Sequence, residues 1–255
     1  MNSIKKTDPK TFLVLFVRGG GSTFLAELIN QIDGFTCLRE PKLNQKFFIE
    51  NNLSYLQYLQ KIDDKKMRKT CTQRVSKCFW VGAKNKLYDQ VNVKIRGRIL
   101  DVKMPVIFII RRDIIRHAIG LCRKDLAAKS VVWSEAERLK PCRIELRQFS
   151  DTLKWILDRN REIKKFHDEI NTERRLLIYY EDLYENKIME LRKLLLFLGE
   201  NDSNLKIEKE NLPVKHTSDA WEESVVNSDE IKHYIQSIDS KMISTSNVFE
   251  GGYHV

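Results

Sequence analysis

The segment "FVRGGGSTFLAELINQ" (residues 16–31) joins an apolar run to a sequence with helical periodicity. The run before it, "TFLVLFV" (11–17), is too short for a helix and predicts a strand buried on both faces over 12–17. From Ser22 to Ile32 the apolar residues recur at helical spacing, and Gly34 follows as a plausible helix end. Strand, glycine turn and helix form the first half of a βαβ unit, which predicts an α/β fold.

The turn itself carries three of the ten glycines in the chain, Gly19, Gly20 and Gly21, followed by Ser22 and Thr23. A turn that leaves a buried strand and enters a helix exposes backbone N–H groups, and the helix dipole adds to their attraction for an anion. Glycine lets the backbone wrap closely around such a ligand. The sequence therefore predicts a phosphate site. The alternative is a tight strand–helix turn in which Ser22 is the N-cap.

Further apolar runs predict the remaining elements of the same domain. Strands are expected at 105–110 and 175–180 and a weaker one at 79–84; helices are expected over 143–170, up to Gly199 and near 229–237. Neither a repeat nor a Gly/Pro/Ser-rich linker divides the chain. We therefore predict one P-loop-like, three-layer domain over 1–255, with a central, mostly parallel sheet flanked by helices. Residues 1–10 would be a flexible N-terminus, and 200–255 a polar C-terminal segment.

Composition narrows the class of partner. The formal net charge is +10, which favours an anionic ligand, although basic residues on solvated helices would give the same value. Lysine and arginine are spread along the chain among acids, which disfavours a nucleic-acid binder. The five cysteines form no C-x-x-C pair, so we expect neither a disulfide framework nor a metal site. With no apolar run long enough to span a membrane, a cytoplasmic location is predicted.

Two common nucleotide motifs do not fit the glycine turn. The Walker A loop needs lysine before its Ser/Thr, and Gly21 stands there instead. The dinucleotide fingerprint needs a third glycine where this chain has Phe24. A Rossmann dehydrogenase is therefore disfavoured, and a P-loop-like nucleotide kinase is kept only as an alternative.

Five segments resemble, in the expected order, the sulfotransferase family, and most closely its bacterial trehalose-type and carbohydrate members. Gly21-Ser22-Thr23 matches the G-S-T of the phosphosulfate-binding loop. "VIFIIRRDIIRHAIGLCRK" (106–124) aligns with the strand and helix that bind the 3′-phosphate of the nucleotide. The other three segments are "VGAKNKLYDQV" (81–91), the YEDL and FLG letters within 180–199, and "VKHTSDAWEESVVNSDEI" (214–231).

The resemblance implies transfer of a sulfuryl group from 3′-phosphoadenosine 5′-phosphosulfate (PAPS) to a hydroxyl or amine of a small-molecule, carbohydrate or lipid acceptor, without a metal. It assigns to the nucleotide Arg18, Gly19, Gly20, Gly21, Ser22, Thr23, Phe24, Arg112 and Gly120. Phe24 is also a candidate for the core. The chain departs from the family twice: Gly19 stands at the Arg/Lys position, one residue after Arg18, and Gly120 stands at the serine position.

Three residues are candidates for catalysis by the same resemblance. Glu40, in the Glu40-Pro41 pair, matches the family's candidate base, and its alternative role is a solvated loop acid. Lys84 and Arg18 are the cations expected near the sulfuryl group or the acceptor. His117 is expected at or near the helix surface, and His216 is a weaker candidate for a ligand contact. A protein that binds the nucleotide without turnover is a further alternative.

Overall fold

A computed structural model describes residues 10–38, 80–86, 100, 104–127, 140–201, 205 and 220–238. Its strands are β1 (Lys10–Phe16), β2 (Phe35–Leu38), β3 (Trp80–Lys86), β4 (Val106–Ile110) and β5 (Arg175–Tyr179). Its α-helices are α1 (Ser22–Ile29), α2 (Ile114–Ala127), α3 (Leu146–Glu169), α4 (Tyr180–Glu185), α5 (Lys187–Phe197) and α6 (Ser228–Ser237). Short 3-10 helices cover Thr172–Arg174 and Trp221–Ser224.

The five strands form one sheet in the order β2-β3-β1-β4-β5, and every neighbouring pair is parallel. The predicted parallel sheet is therefore confirmed. The segment expected to be a weak strand, β3, lies inside the sheet between β1 and β2. Strand β2 was not predicted. It is four residues long and follows directly after the turn at Gly34.

The strand order places a crevice at the carboxyl ends of β1 and β4. After β1 the chain moves to the β2 side of the sheet, and after β4 it moves to the β5 side. Strands β1 and β4 are hydrogen-bonded neighbours, with Phe16 in register with Ile109. Ligands of open α/β sheets bind where the strand order reverses in this way. The glycine turn follows β1 and Arg111 follows β4, so both lie at that point.

Both faces of the sheet are covered, which explains the continuous apolar strands. All five residues of β4 are buried. Ile107 and Ile109 join a core cluster with α1 and α5, whereas Phe108 joins a second cluster with Phe166 of α3. A parallel sheet buried on both faces needs apolar residues on both sides of each strand. Helix, sheet and helix form the three layers that the sequence predicted.

The helix boundaries follow local chemistry. Helix α1 ends at Ile29, earlier than the predicted Ile32, because the Asn30 side chain binds β2: its Oδ1 accepts the backbone N–H of Cys37 at 2.8 Å. Helix α5 ends at Phe197, two residues before Gly199, the predicted helix end, which has a φ of 74°. There the N–H of Glu200 donates to the carbonyl of Leu195, which is typical of a glycine C-cap. None of the described helices combines the length and apolarity needed to cross a membrane.

Candidate nucleotide site

The glycine turn is a tight loop that ends in an uncapped helix. The N–H of Gly20 donates to the carbonyl of Val17 at 2.8 Å, and Gly19 and Gly21 have φ values of 78° and 95°. Gly21 is the N-cap of α1, and its carbonyl accepts the first helical bond from Leu25 at 3.1 Å. Ser22 is the first helical residue. The alternative in which Ser22 caps the helix is therefore wrong.

Each of the three glycines stands where a side chain would collide with a different neighbour. A Cβ at Gly19 would lie 2.7 Å from Cδ2 of Leu121 on α2, and one at Gly20 would lie 2.8 Å from the carbonyl oxygen of Val17. A Cβ at Gly21 would lie 2.1 Å from Cδ2 of Tyr180. The loop is thus pressed between α2 and the residue that follows β5.

The N-terminus of α1 is left open for an anion. No side chain caps it, and its first turn contains no acidic residue. The first N–H groups of any helix lack partners within the helix and carry the positive end of the helix dipole. Within the described part of the chain, no acidic side chain occupies this terminus, which is the condition for binding a phosphate or sulfate group.

Arg111, directly after β4, reaches the same place from the other side. Its guanidinium carbon lies 4.1 Å from the centre of the Tyr180 ring. Its Nε is buried and has no hydrogen-bond partner within the described residues. Burial raises the pKa of Tyr180, and the charge of Arg111 acts in the opposite direction. One tyrosine ring thus contacts both Gly21 and Arg111, so a single ligand can reach the glycine loop and the arginine together.

Arg112, the arginine that the resemblance assigned to the nucleotide, is engaged elsewhere. Its two terminal nitrogens bind the carboxylate of Asp182 at 2.5 and 2.7 Å, and its guanidinium stacks 3.8 Å above the Tyr179 ring. The bond to Asp182 raises the pKa of Arg112 above its ordinary value. This is a bidentate, stacked arrangement of the kind that fixes an arginine in place.

The N-terminus of α2, unlike that of α1, is filled by acids of the chain itself. Asp113 is its N-cap, and its Oδ1 accepts the N–H of Arg116 at 2.8 Å. Glu181 accepts the N–H of Arg112 at 3.1 Å. Glu181 and Asp182, which belong to the YEDL letters of the family resemblance, therefore hold the end of β4 in place. Of these two helix termini, α1 alone remains available to an external anion.

Arg18 lies in the turn between β1 and Gly20, with its side chain directed toward α2. The guanidinium forms an ion pair with Asp125, and both side chains are about half exposed. The carbonyl oxygen of Arg18 lies 2.7 Å from Nε2 of His117. The cation predicted to face the sulfuryl group is thus paired with a carboxylate.

Comparison with known proteins was made at the level of sequence and of structure. The sequence matches no protein-family model, and no curated protein matches it. Among solved structures, the sulfotransferase domain of the Synechococcus PCC 7002 olefin synthase superposes with a TM-score of 0.52 at 14% identity, over 99% of each chain. The chain has the sulfotransferase fold.

Two further sulfotransferases give lower scores. The sulfotransferase domain from the curacin biosynthetic pathway has a TM-score of 0.47 at 17% identity, covering 93% of this chain and 90% of its own. A mouse sulfotransferase complexed with PAP has a TM-score of 0.46 at 15% identity, covering 91% of this chain and 80% of its own.

Within the sulfotransferase fold, the remaining predicted residues fall in different places. Phe24 is buried in the core, 6.0 Å from Tyr180 between ring centres. Gly120 lies on α2 with no atom within 4 Å of a Cβ built there. Lys84 lies in β3, in register with Val14 of β1. Glu40 lies outside the described residues, as does His216.

Three residues close to the glycine loop were not among the predicted nucleotide-binding residues. Two of them are Arg111 and Tyr180, and the resemblance assigned the neighbouring Arg112 to the nucleotide instead. His117, expected at or near the helix surface, is fully buried. No signal in a single sequence distinguishes the two adjacent arginines, but the histidine could have been noted because it falls on the same helical side as the buried Ile114 and Leu121.

Proposed function

We propose that the protein is a sulfotransferase that moves the sulfuryl group of PAPS to a hydroxyl or amine. One observation carries the proposal: the open N-terminus of α1 and the buried Nε of Arg111, which has no partner among the described residues, converge on the ring of Tyr180 at the crevice between β1 and β4. Two anion-binding groups at the ends of neighbouring strands suit a ligand that carries two separated anions. PAPS has a phosphosulfate at one end of its ribose and a phosphate at the other.

In this proposal, each of the two groups binds one anionic end of the nucleotide. The glycine loop and the first turn of α1 would hold the 5′-phosphosulfate, because their N–H groups are uncapped. Arg111 would hold the 3′-phosphate, because a guanidinium fork suits phosphate and its Nε lacks a partner among the described residues. Arg112, fixed by Asp182, would position the strand end without touching the ligand.

The chemistry needs no group beyond those of the two substrates and the protein. The acceptor oxygen or nitrogen attacks sulfur, a new bond to sulfur forms, and the bond from sulfur to the 5′-phosphate oxygen breaks. The acceptor proton passes to a base, and 3′-phosphoadenosine 5′-phosphate (PAP) leaves with the negative charge. The N-terminus of α1 would stabilise the charge that develops on the leaving phosphate. Glu40 is proposed as the base, with Lys84 as the second cation.

Two finer assignments rest on the sequence resemblance: a trehalose-type or carbohydrate acceptor, with lipid and other small-molecule acceptors as further possibilities, and activity without a metal. The cytoplasmic location is proposed from the cysteines and the apolar runs of the sequence. Among the described residues, no group of three or more His, Cys, Asp or Glu side chains is arranged to hold a metal ion.

A second candidate is a protein that binds the nucleotide without turning it over. The ion pair between Arg18 and Asp125 favours this reading, because it removes the cation that would face the sulfuryl group. Gly120, which replaces the family's serine, favours it too. This candidate shares the binding site with the first and differs only in turnover.

The test compares two adjacent arginines. Titration with PAP gives the dissociation constant, and transfer of radiolabelled sulfate from PAPS to a panel of sugars, lipids, phenols and amines measures turnover. Arg111→Ala is expected to weaken PAP binding by about tenfold or more, since it removes a charged phosphate contact. Arg112→Ala is the matched control and should change binding by about threefold or less.

Each outcome has a distinct meaning. Binding of PAP that depends on Arg111, together with transfer to an acceptor, supports the sulfotransferase. The same binding with no transfer to any acceptor supports the second candidate. Failure of the unaltered protein to bind PAP would contradict both. If Arg112→Ala weakened PAP binding as much as Arg111→Ala, the assignment of the 3′-phosphate to Arg111 alone would be wrong.

A further inference from the structure

His117 is buried beneath the glycine loop on the face of α2 that the loop covers. The side chain is 1% exposed, and its Nε2 lies 2.7 Å from the carbonyl oxygen of Arg18. The same Nε2 would lie 3.1 Å from a Cβ placed at Gly19. The histidine and the loop therefore approach so closely only because residue 19 has no side chain.

The protonation state of His117 follows from its partner and its surroundings. Burial, together with the charges of Arg111 and Lys124, lowers its pKa to about 3, against the raising effect of the Arg18 carbonyl. The ring is therefore neutral at physiological pH and carries one proton. A carbonyl oxygen only accepts, so the proton must be on Nε2 and is donated to Arg18. Nδ1 is left as a buried acceptor with no partner in the described part of the chain.

This hydrogen bond fixes the direction of one peptide group in the loop. The described chain has no cis peptide bonds, so the carbonyl of Arg18 and the N–H of Gly19 point to opposite sides of their shared plane. With the carbonyl held toward α2 by His117, the N–H of Gly19 is directed away from α2. The same peptide is the central one of a turn that the Gly20 N–H closes by donating to Val17 at 2.8 Å, and its orientation places Gly19 at a φ of 78°.

We propose that His117 is a positioning residue, which holds the Arg18–Gly19 peptide so that the glycine loop presents its N–H groups to the phosphosulfate. The inference rests on the proposed function for the identity of the ligand. The claim that the hydrogen-bond donor of His117 sets the loop conformation applies to the protein without a ligand. An apolar residue of the same size would fill the space without fixing the peptide.

The decisive comparison is between two replacements of similar length. His117→Gln places an amide nitrogen at the same number of bonds from the backbone as Nε2 and keeps the donor. His117→Met fills the space without a donor. Leu121→Ala serves as the packing control, because it loosens the contact with Gly19 while leaving His117 intact. If His117→Met does not fold, His117→Asn replaces it, since its shorter amide does not reach the carbonyl.

Two measurements separate the roles. Calorimetric titration with PAP, and separately with inorganic sulfate, reports the anion site. Hydrogen exchange of the Gly20 amide, read by NMR without ligand, reports the loop. His117→Met is expected to bind PAP about tenfold more weakly and to exchange the Gly20 amide faster. His117→Gln and Leu121→Ala are expected to stay within about threefold of the unaltered protein in PAP affinity.

The failures are distinguishable. If the unaltered protein binds no PAP, the proposed function fails, and the exchange of Gly20 still decides whether His117 positions the loop. If His117→Met keeps the affinity and the Gly20 protection of the unaltered protein, the inference is overturned. It is overturned equally if Leu121→Ala matches His117→Met in both measurements, because packing alone would then explain the effect.

Discussion

At the scale of single residues, Gly120 is the position where the chain can be altered toward the family pattern with the least disturbance. It lies in the interior of α2, and a Cβ built there meets no atom within 4 Å. Glycine in a helix interior costs about 1 kcal/mol relative to alanine because it loses more backbone entropy on folding. The chain therefore bears this cost at a site where a serine would fit.

We expect Gly120→Ser to tighten PAP binding by about threefold to tenfold if the hydroxyl reaches the nucleotide phosphate, as the resemblance implies. Gly120→Ala is the matched control: it should raise the free energy of unfolding by about 1 kcal/mol and leave the PAP dissociation constant unchanged. Calorimetric titration and urea unfolding measure the two quantities. Equal PAP affinity in the serine and alanine variants would show that position 120 does not face the nucleotide.

Some residues of the candidate site could be predicted from the sequence and others could not. The glycine turn was predictable because its position between a strand and a helix has a chemical meaning of its own. Which of Arg111 and Arg112 lies beside the glycine loop was not predictable, because successive residues after a strand point to opposite sides and the sequence offers an arginine on each. The choice depends on where Asp182 and Tyr180 lie, and β5 sets that position.

At the scale of elements, residues of the C-terminal segment that resembles the family connect α6 to the residues before α3. Asn227 is buried, and its amide bonds both backbone groups of Ile144, accepting its N–H at 3.0 Å and donating to its carbonyl at 2.9 Å. Glu230 binds Arg143 at 2.7 Å, and Ile231 is fully buried against α3. The role of this segment is therefore structural in the described residues.

Asn227→Ala is expected to lower the free energy of unfolding by about 2–4 kcal/mol. It leaves two buried backbone groups of Ile144 without partners, and each costs about 1–3 kcal/mol. Lys232→Ala, a change in α6 that removes an exposed ion pair with Glu222 of the preceding 3-10 helix, is the control and should change stability by about 0.5 kcal/mol or less. Urea unfolding compares them. Similar losses of unfolding free energy in the two variants would show that Asn227 does not hold α6 to the residues before α3.

Helices and strands with a long or strongly apolar pattern were predicted more accurately than short ones. Helix α3 has 24 residues and a regular amphipathic pattern, and it was predicted within a few residues at each end. Strand β2 has four residues, and its position depends on the Asn30 side chain, which binds Cys37 through a contact no periodicity reveals. The strong strands β1 and β4 were predictable because a doubly buried strand must be apolar throughout.

At the scale of the whole molecule, two buried histidines couple stability to pH. Burial lowers the pKa of His117 to about 3 and also lowers that of His167, which packs against Phe108. Both groups have an ordinary value near 6.5 in the unfolded chain. Between the folded and unfolded values the unfolded chain binds a proton that the folded chain does not. Their contribution is fully present above about pH 6.5 and is lost progressively as the pH falls below it.

For His117 the loss at pH 5 is on the order of 2 kcal/mol, from the difference between the two pKa values. We therefore expect the free energy of unfolding to fall between pH 7.5 and pH 5 by about 2 kcal/mol more in the unaltered protein than in His117→Gln, which cannot titrate. His167 and the carboxylates are common to both proteins, so the difference isolates one residue. Urea unfolding at a series of pH values measures it. Parallel pH profiles would mean that His117 is not held as the neutral donor to Arg18, and the loop would then lack the support on which its anion site depends.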